Sequence, residues 1–246
     1  MVTSTDTVYL VTGANRGIGF GLVASLATRE NVLVFATARD PSKATDLNKL
    51  AKETGKVVVL KLDSTSEADA HAAAKLVEER AGKVDAIIAN AGQLDSFGKA
   101  PEEPVENYIR LFTVNALGPL ILFKVFSPLL YKSSTRKVAV VSSALGSLTL
   151  AYPIPTTAYA TSKAAVNFIF RKIHGEEVAN NLTSFVLNPG YVWTDATRNG
   201  VDNHNMPTPS LTVEESAMAT LKLVDEATRE THGGKFFDYT GEEIPW

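Results

Sequence analysis

The sequence predicts an α/β fold: a single domain over residues 1–246, built on one doubly wound parallel sheet of about seven strands with helices on both faces. Three observations predict it. Apolar, β-branched runs alternate with helical stretches from end to end. The runs are apolar throughout rather than at every second position, the pattern of strands covered on both faces. Each connection is long enough for a right-handed crossover helix, and no linker, low-complexity tract or short-period repeat intervenes. Strands are expected near 7–12, 32–37, 57–62, 84–89, 137–142, 183–187 and 235–239, and helices near 17–29, 41–54, 66–81, 104–131, 157–179 and 212–230. In such a sheet, ligands lie beyond the carboxyl ends of the strands, near the point where strand order reverses.

The first strand runs into Thr12-Gly13-Ala14-Asn15-Arg16-Gly17-Ile18-Gly19, directly followed by a helix. Glycines there let the chain turn tightly, approach a pyrophosphate closely and pack the helix on the sheet, while the helix N-terminus offers free N–H groups to phosphate. The spacing is G-x-x-x-G-x-G, and its strand-to-helix setting points to a dinucleotide. A loop serving only the turn is the plainer alternative. At the end of strand two, where an acid would favour NAD by binding the ribose hydroxyls, the chain has Phe35-Ala36-Thr37-Ala38-Arg39 and no acid before Asp40. Arg39 and Arg16 suit a 2′-phosphate, so NADP(H) is expected; Asp40, just before Pro41, suits a cap.

Asp63 ends strand three, placed to accept from an adenine amino group or to cap the next helix, with Ser64 and Glu67 nearby. Asn90, Ala91 and Gly92 end strand four, the glycine permitting backbone close to the cofactor ribose. Within the helix expected at 104–131, Pro119 has no N–H for the carbonyl of Asn115 four residues earlier, and Gly118 eases a kink. That carbonyl is expected to be free for a water that links Lys163 to solvent; a kink without a relay is the alternative.

Strand five closes on Ser142 and Ser143, and the following helix carries Tyr159 and Lys163, one turn apart on one face. A phenol of pKa near 10 is a poor acid or base at neutral pH, and a neighbouring ammonium lowers that value. Tyrosine and lysine at this spacing often just decorate a helix; after a glycine loop and a serine-ended strand, the pair carries chemistry. Pro189-Gly190-Tyr191-Val192-Trp193-Thr194 follows strand six. The loops 94–100, 145–157 and 191–211 carry Phe97, Leu148, Tyr152, Ile154, Tyr191, Trp193 and Met206, a wall for a bulky apolar ketone or side chains packed on their own domain. The segment 191–211 reads as a mobile substrate lid.

Composition narrows the classes. The formal net charge is −3 with no basic run, against nucleic acid as a partner. There is no cysteine, so disulfides, thiolate nucleophiles and cysteine metal sites are excluded, and the four histidines fall in no ligand pattern; no metal is expected. Neither a signal peptide nor an apolar stretch long enough for a bilayer is read, so a cytoplasmic protein without a membrane partner is expected.

Together these residues resemble the short-chain dehydrogenase/reductase family over essentially the full length: the TGxxxGIG loop, Asn90-Ala91-Gly92, Asn115, the serine, Tyr159 with Lys163, and Asn188-Pro189-Gly190. Within it the chain resembles the carbonyl reductase subgroup, including sniffer-like and fungal norsolorinic acid ketoreductase-like proteins. The longer stretch from Ser143 to Tyr159 and the ending GGKFFDYTGEEIPW carry that likeness. The resemblance implies Tyr159 as general acid, Ser143 orienting the carbonyl, Lys163 binding the ribose and tuning the tyrosine, and Asn115 completing a proton relay. It prefers Ser143 to Ser142 because the family serine is followed by x-x-Gly, here Gly146. It also implies that Val192 N–H and Thr194, after Pro189, hold the nicotinamide carboxamide. Homodimers, homotetramers and monomers all occur among such relatives. The expected activity is reduction of a small-molecule carbonyl with NADP(H). The rivals are an idle NADP(H)-binding sensor or scaffold and an alcohol dehydrogenase working oxidatively; a methyltransferase is disfavoured by the missing acid after strand two.

Overall fold

The structure, a computed structural model, describes residues 6–246; the first five residues of the expected domain lie outside the described residues. The strands are β1 (Thr7–Val11), β2 (Val32–Ala38), β3 (Val57–Lys61), β4 (Ala86–Ala89), β5 (Lys137–Val141), β6 (Thr183–Asn188) and β7 (Phe236–Asp238). All pair in parallel, in the order β3-β2-β1-β4-β5-β6-β7. Strand order therefore reverses between β1 and β4, where a crevice opens at their carboxyl ends. Strand β2 is buried at every position, as the continuous apolar run VLVFATA requires.

Eight α-helices cover the sheet among the described residues: α1 (Gly17–Ala27), α2 (Thr45–Thr54), α3 (Glu67–Ala81), α4 (Val105–Phe112), α5 (Gly118–Tyr131), α6 (Thr157–Glu176), α7 (Asp195–His204) and α8 (Val213–Glu226). Two apolar clusters form, one on each face. One joins Leu10, Phe35 and Ile87 to Val77 of α3, Phe126 of α5 and Phe170 of α6. The other joins Val11, Val34 and Ile88 to Leu22 of α1, Leu47 of α2 and Leu221 of α8. Burial of large apolar side chains at about 1.5–3 kcal/mol each drives both.

Four expectations about elements are corrected. The stretch 41–54 is a 3₁₀ turn, Pro41–Lys43, followed by α2; Asp40 accepts from Ser42 N at 3.1 Å and Ser42 Oγ at 2.6 Å and caps that turn. The helix expected at 104–131 is interrupted by a π turn over Thr113–Leu117, in which Gly118 N donates to Thr113 O. The distortion begins before Pro119, so a wider turn, rather than a proline kink alone, marks the place. Third, the run Val105–Tyr131 is long and apolar enough to cross a bilayer, with a mean hydropathy of 1.6 in its best window. Its buried positions Leu122, Phe126, Leu129 and Leu130 pack in the core instead. Fourth, the segment 191–211, expected as a lid loop, contains α7. Thr194 caps it in a reciprocal box with Thr197, and Gly200 in its last turns fits against Phe97 and Met206.

Candidate active site

The crevice is lined from four strand ends. Ile18 comes from α1, Asn90 and Gly92 from the β4 end, and Ser142 and Ser143 from the β5 end. Tyr159 and Lys163 come from α6, and Asn188 to Val192 and Thr194 from the β6 end. The structure brings these groups together at one edge of the sheet.

Thr12 ties two of these ends together. Its Oγ1 accepts from Asn90 N at 3.1 Å and Ala91 N at 3.0 Å, and Asn90 Nδ2 donates back to Thr12 O at 2.9 Å. Gly13 has φ +64° and sits so close to Ala91 that a Cβ would lie 2.9 Å from its Cα. At Gly19, a Cβ would meet Gly13 O at 2.2 Å and Asn90 Nδ2 at 2.5 Å. Only glycine permits this packing. The first turn of α1 receives no side-chain cap, and no acidic residue stands in it, so its N–H groups remain available to an anion. Gly17, at φ +54°, faces Thr194, and Asn15 is exposed on the loop's outer side. These features fit a dinucleotide pyrophosphate.

The two arginines differ. Arg39 is exposed and no partner holds its guanidinium among the described residues, whereas Arg16 Nη1 pairs with Asp195 of α7 at 3.2 Å. Arg16 is thus engaged with the lid segment rather than standing free beside Arg39. Asp40 is bound to Ser42 and Lys43, and the Ser42 hydroxyl leads in holding its carboxyl below the usual range. Asp63 Oδ1 accepts from Thr65 N at 2.9 Å and Thr65 Oγ1 at 2.8 Å; the cap of α3 is Ser66, not Asp63.

Ser143 and Tyr159 stand together on the cleft wall; the Ser143 hydroxyl accepts from Leu145 N at 3.2 Å and acts to lower the pKa of the Tyr159 phenol. Ser142 is different. It is buried, and its Oγ donates to Asn167 Oδ1 at 2.5 Å. Gly146 explains the x-x-Gly spacing, because a Cβ there would come within 2.8 Å of Lys163 C and 2.9 Å of Ala164 N. The serine loop can therefore lie directly on the α6 backbone.

Lys163 lies beneath Tyr159, its Nζ 5.7 Å from the ring centroid, and donates to Val141 O at 2.9 Å. Burial pulls this ammonium down to about 8. Burial pushes the Tyr159 phenol up to about 12, only partly offset by the Ser143 hydrogen bond. The expectation of a phenol made more acidic by its lysine is therefore corrected for the chain alone: desolvation dominates, and the ammonium is spent on Val141 O.

Asn115 is buried and its side chain is fully used. Nδ2 donates to Gln93 O at 2.9 Å and Ser162 Oγ at 3.0 Å, while Oδ1 accepts from Gln93 N at 2.8 Å. The π turn delivers this side chain between the β4 loop and α6. Near Gly92 the space is tight: a Cβ would lie 3.1 Å from Asn115 Oδ1 and 3.4 Å from Lys163 Nζ. On the far side, Val192 bridges Leu211 in parallel through Tyr191 O and Trp193 N–H, so Val192 N–H points away from that ladder.

Sequence reasoning assigned no role to four supports: Thr12 and Asn188, named only as parts of motifs, and Ser162 and Asn167. Asn188 Oδ1 accepts from Ala144 N at 3.1 Å and its Nδ2 donates to Asp238 at 2.6 Å, bracing the serine loop. Its place at the end of β6 was the available signal. Of the expected substrate wall, Phe97, Tyr191 and Met206 line the cleft, joined by Leu94, Leu145 and Thr156; Leu148, Tyr152, Ile154 and Trp193 do not line it. Leu148 is 79% exposed.

The family model described as short chain dehydrogenase matches residues 7–205. The chain belongs to the short-chain dehydrogenase family. Its members are oxidoreductases working with a nicotinamide cofactor, which accounts for the crevice. The short chain dehydrogenase gsfK of Penicillium aethiopicum is 39% identical over 96% of this chain and 98% of its own length. Norsolorinic acid ketoreductase of Aspergillus parasiticus is 35% identical over 98% of this chain and 92% of its own. Among solved structures, the NADPH-bound carbonyl reductase from chicken fatty liver superposes with a TM-score of 0.89 at 30% identity, covering 98% of this chain and 99% of that one.

Proposed function

We propose that this short-chain dehydrogenase reduces a ketone to an alcohol with NADPH. The observation that carries the reading is the presence of Ser143 and Tyr159 together on the wall of an apolar cleft, with Lys163 beneath the ring and the glycine cradle next to it. When bound, the cofactor supplies the hydride. In this reading Gly13, Asn15, Gly17, Ile18 and Gly19 receive its pyrophosphate; Asp63, Asn90, Ala91 and Gly92 hold its adenosine and ribose portions; and Lys163 meets a ribose hydroxyl. Pro189, Val192 N–H and Thr194 fix the carboxamide. Arg39, unpaired among the described residues beside an Asp40 whose carboxylate is taken up by Ser42 and Lys43, favours the 2′-phosphate of NADP(H).

The Ser143 hydroxyl donates to the substrate carbonyl oxygen and orients it. The Tyr159 phenol gives its proton to the same oxygen as negative charge develops there. In the chain without cofactor, burial holds the phenol protonated, the form that a proton donor to the developing alkoxide needs. Reprotonation runs inward through Lys163 and a water that would be held by the Asn115 carbonyl, which Pro119 leaves without its usual helical donor. Replacing Tyr159 by Phe removes the proton donor and keeps the ring over Lys163. NADPH oxidation with a ketone panel is expected to fall at least about 100-fold, while NADPH still binds. Turnover close to wild type would sink the assignment.

A further inference from the structure

The segment that follows Ser143 has little regular structure to hold it. One 3₁₀ turn, Ala144–Gly146, gives way to turns and irregular chain as far as α6. Ala151 sits at φ +37°, a left-handed backbone that a residue with a Cβ keeps only where its neighbours impose it. Yet Ser143 and Leu145 occupy definite places on the cleft wall. Part of what fixes them lies 97 and 98 residues further along the chain.

Beyond β7 the chain turns back along the strand. Asp238 N donates to Glu242 O at 2.8 Å, Ile244 N donates to Phe236 O at 2.7 Å, and Phe237 bridges Glu243 in antiparallel fashion. This return brings residues 245 and 246 onto the serine segment. Ser147 is buried; its Oγ donates to Pro245 O at 2.6 Å and accepts from Leu150 N at 3.1 Å. Thr149 donates twice to Trp246 O, from its N at 2.9 Å and from its Oγ1 at 2.6 Å. The Trp246 ring anchors that oxygen. It stacks on the fully buried Phe236, centroids 5.7 Å apart, and Arg171 Cζ of α6 lies 4.9 Å from its centroid. The start of the segment is tied to the same strand, because Asp238 holds Asn188 Nδ2 and Asn188 Oδ1 accepts from Ala144 N. The serine segment is thus gripped at 144, 147 and 149 by β7 and its return. Arg171 joins the grip to the helix that carries Tyr159 and Lys163.

We propose that the return after β7, anchored by Trp246, is a positioning element of the reaction: it sets Ser143 beside Tyr159 by holding the segment that follows the serine. Ser147 and Trp246 are positioning residues, since neither lines the cleft. What the grip serves rests on the reductase reading; the grip itself rests on its contacts alone. A shift of about 1 Å at a positioned group costs up to about 100-fold in rate.

The test uses Trp246→Ala, which removes the anchor; Trp246→Phe, which keeps a ring on Phe236; and Ser147→Ala, which breaks one bond of the grip and leaves Trp246 in place. With NADPH bound, Trp246→Ala is expected to speed amide exchange over residues 144–149 at least about 5-fold and to leave residues 12–19 unchanged. In NADPH-oxidation assays with a ketone, its kcat should fall about 10- to 100-fold, while Kd for NADPH stays at the wild-type value. Trp246→Phe should recover most of both losses. Ser147→Ala should lower kcat in the same way, and the double variant should lose little more than Trp246→Ala alone, because both act through one grip. Should Trp246→Ala fail to fold, Ser147→Ala carries the same readouts. Unchanged exchange over 144–149 overturns the grip, and faster exchange with wild-type kcat overturns its part in the reaction. Equal losses of kcat and NADPH affinity, without recovery in Trp246→Phe, mark a general loss of packing and overturn the proposal as well. No turnover of any ketone by wild type, with NADPH bound, overturns the reductase reading itself; the exchange rates then decide the grip by themselves.

Discussion

At the residue scale, function rests on groups whose surroundings leave them one task. Ser142 and Ser143 are adjacent and chemically identical, yet Asn167 occupies the first hydroxyl while the second stands on the cleft wall with Tyr159. The two arginines divide in the same way. Arg16 is held by Asp195, whereas Arg39 has no partner among the described residues. A charge-assisted contact to phosphate is worth about 1.5–3 kcal/mol. Arg39→Ala is therefore expected to raise KM for NADPH roughly 10- to 100-fold and leave that for NADH nearly unchanged, as read in parallel steady-state assays. Arg16→Ala should have the smaller effect. An equal loss with both cofactors would show that Arg39 does not read the 2′-phosphate. The sequence supplied both arginines but not their division, because the Arg16–Asp195 pair joins positions 179 residues apart.

At the element scale, the strands and the surface helices were legible because burial imposes a period on them. Strand β2 is buried at seven successive positions, six of them apolar, and Ser66 and Thr212 start α3 and α8 while Gly55 and Gly82 end α2 and α3. The π turn was not legible. Its residues TVNAL carry no signature other than the nearby Gly118-Pro119, and the extra residue per turn is fixed by contacts that Asn115 makes with Gln93 and Ser162. α7 was hidden by its polar composition, its buried residue being a glycine, Gly200. Gly146 shows a sequence signal whose reason only packing supplies. Gly146→Ala would push a methyl into the α6 backbone at Lys163 and lift the serine loop. Overpacking of this kind costs about 1–3 kcal/mol, so urea denaturation should show a lower midpoint. Turnover should fall further than cofactor affinity, because Ser143 and Tyr159 separate while the glycine cradle stays intact. Full activity in a destabilised variant would show that the loop does not set the serine–tyrosine contact.

At the scale of the whole molecule, the wound sheet buries a charge to build its site. Lys163 is 4% exposed, and its ammonium is drawn down to about 8 by desolvation while it donates to Val141 O. In the unfolded chain a lysine titrates near 10.4. Below pH 8 both states carry the proton and the full cost of burial is present. Between pH 8 and about 10 the unfolded state binds more protons than the folded one, so stability contributed by this group rises with pH. Three tyrosines act in the opposite sense and higher up. Tyr9, Tyr131 and Tyr159 are each pushed to about 12, mainly by burial, so their contribution is complete below pH 10 and is lost as pH climbs from there toward 12. The window from pH 8 to 10 therefore separates the lysines from the tyrosines; Lys137, also lowered by burial, acts in the same sense and is removed by comparison with a Lys163 variant. Without cofactor, the unfolding free energy of the wild type relative to Lys163→Met is expected to increase by about 2 kcal/mol across it, since each tenfold change in proton affinity is worth about 1.4 kcal/mol. Urea titrations of both proteins at three pH values measure this difference directly, and the other titrating groups cancel between them. A difference that stays flat would mean that the folded site stabilises the ammonium as well as water does. In that case burial would not set the ionisation of this site, and the reading of Lys163 as a desolvated ammonium would fail with it.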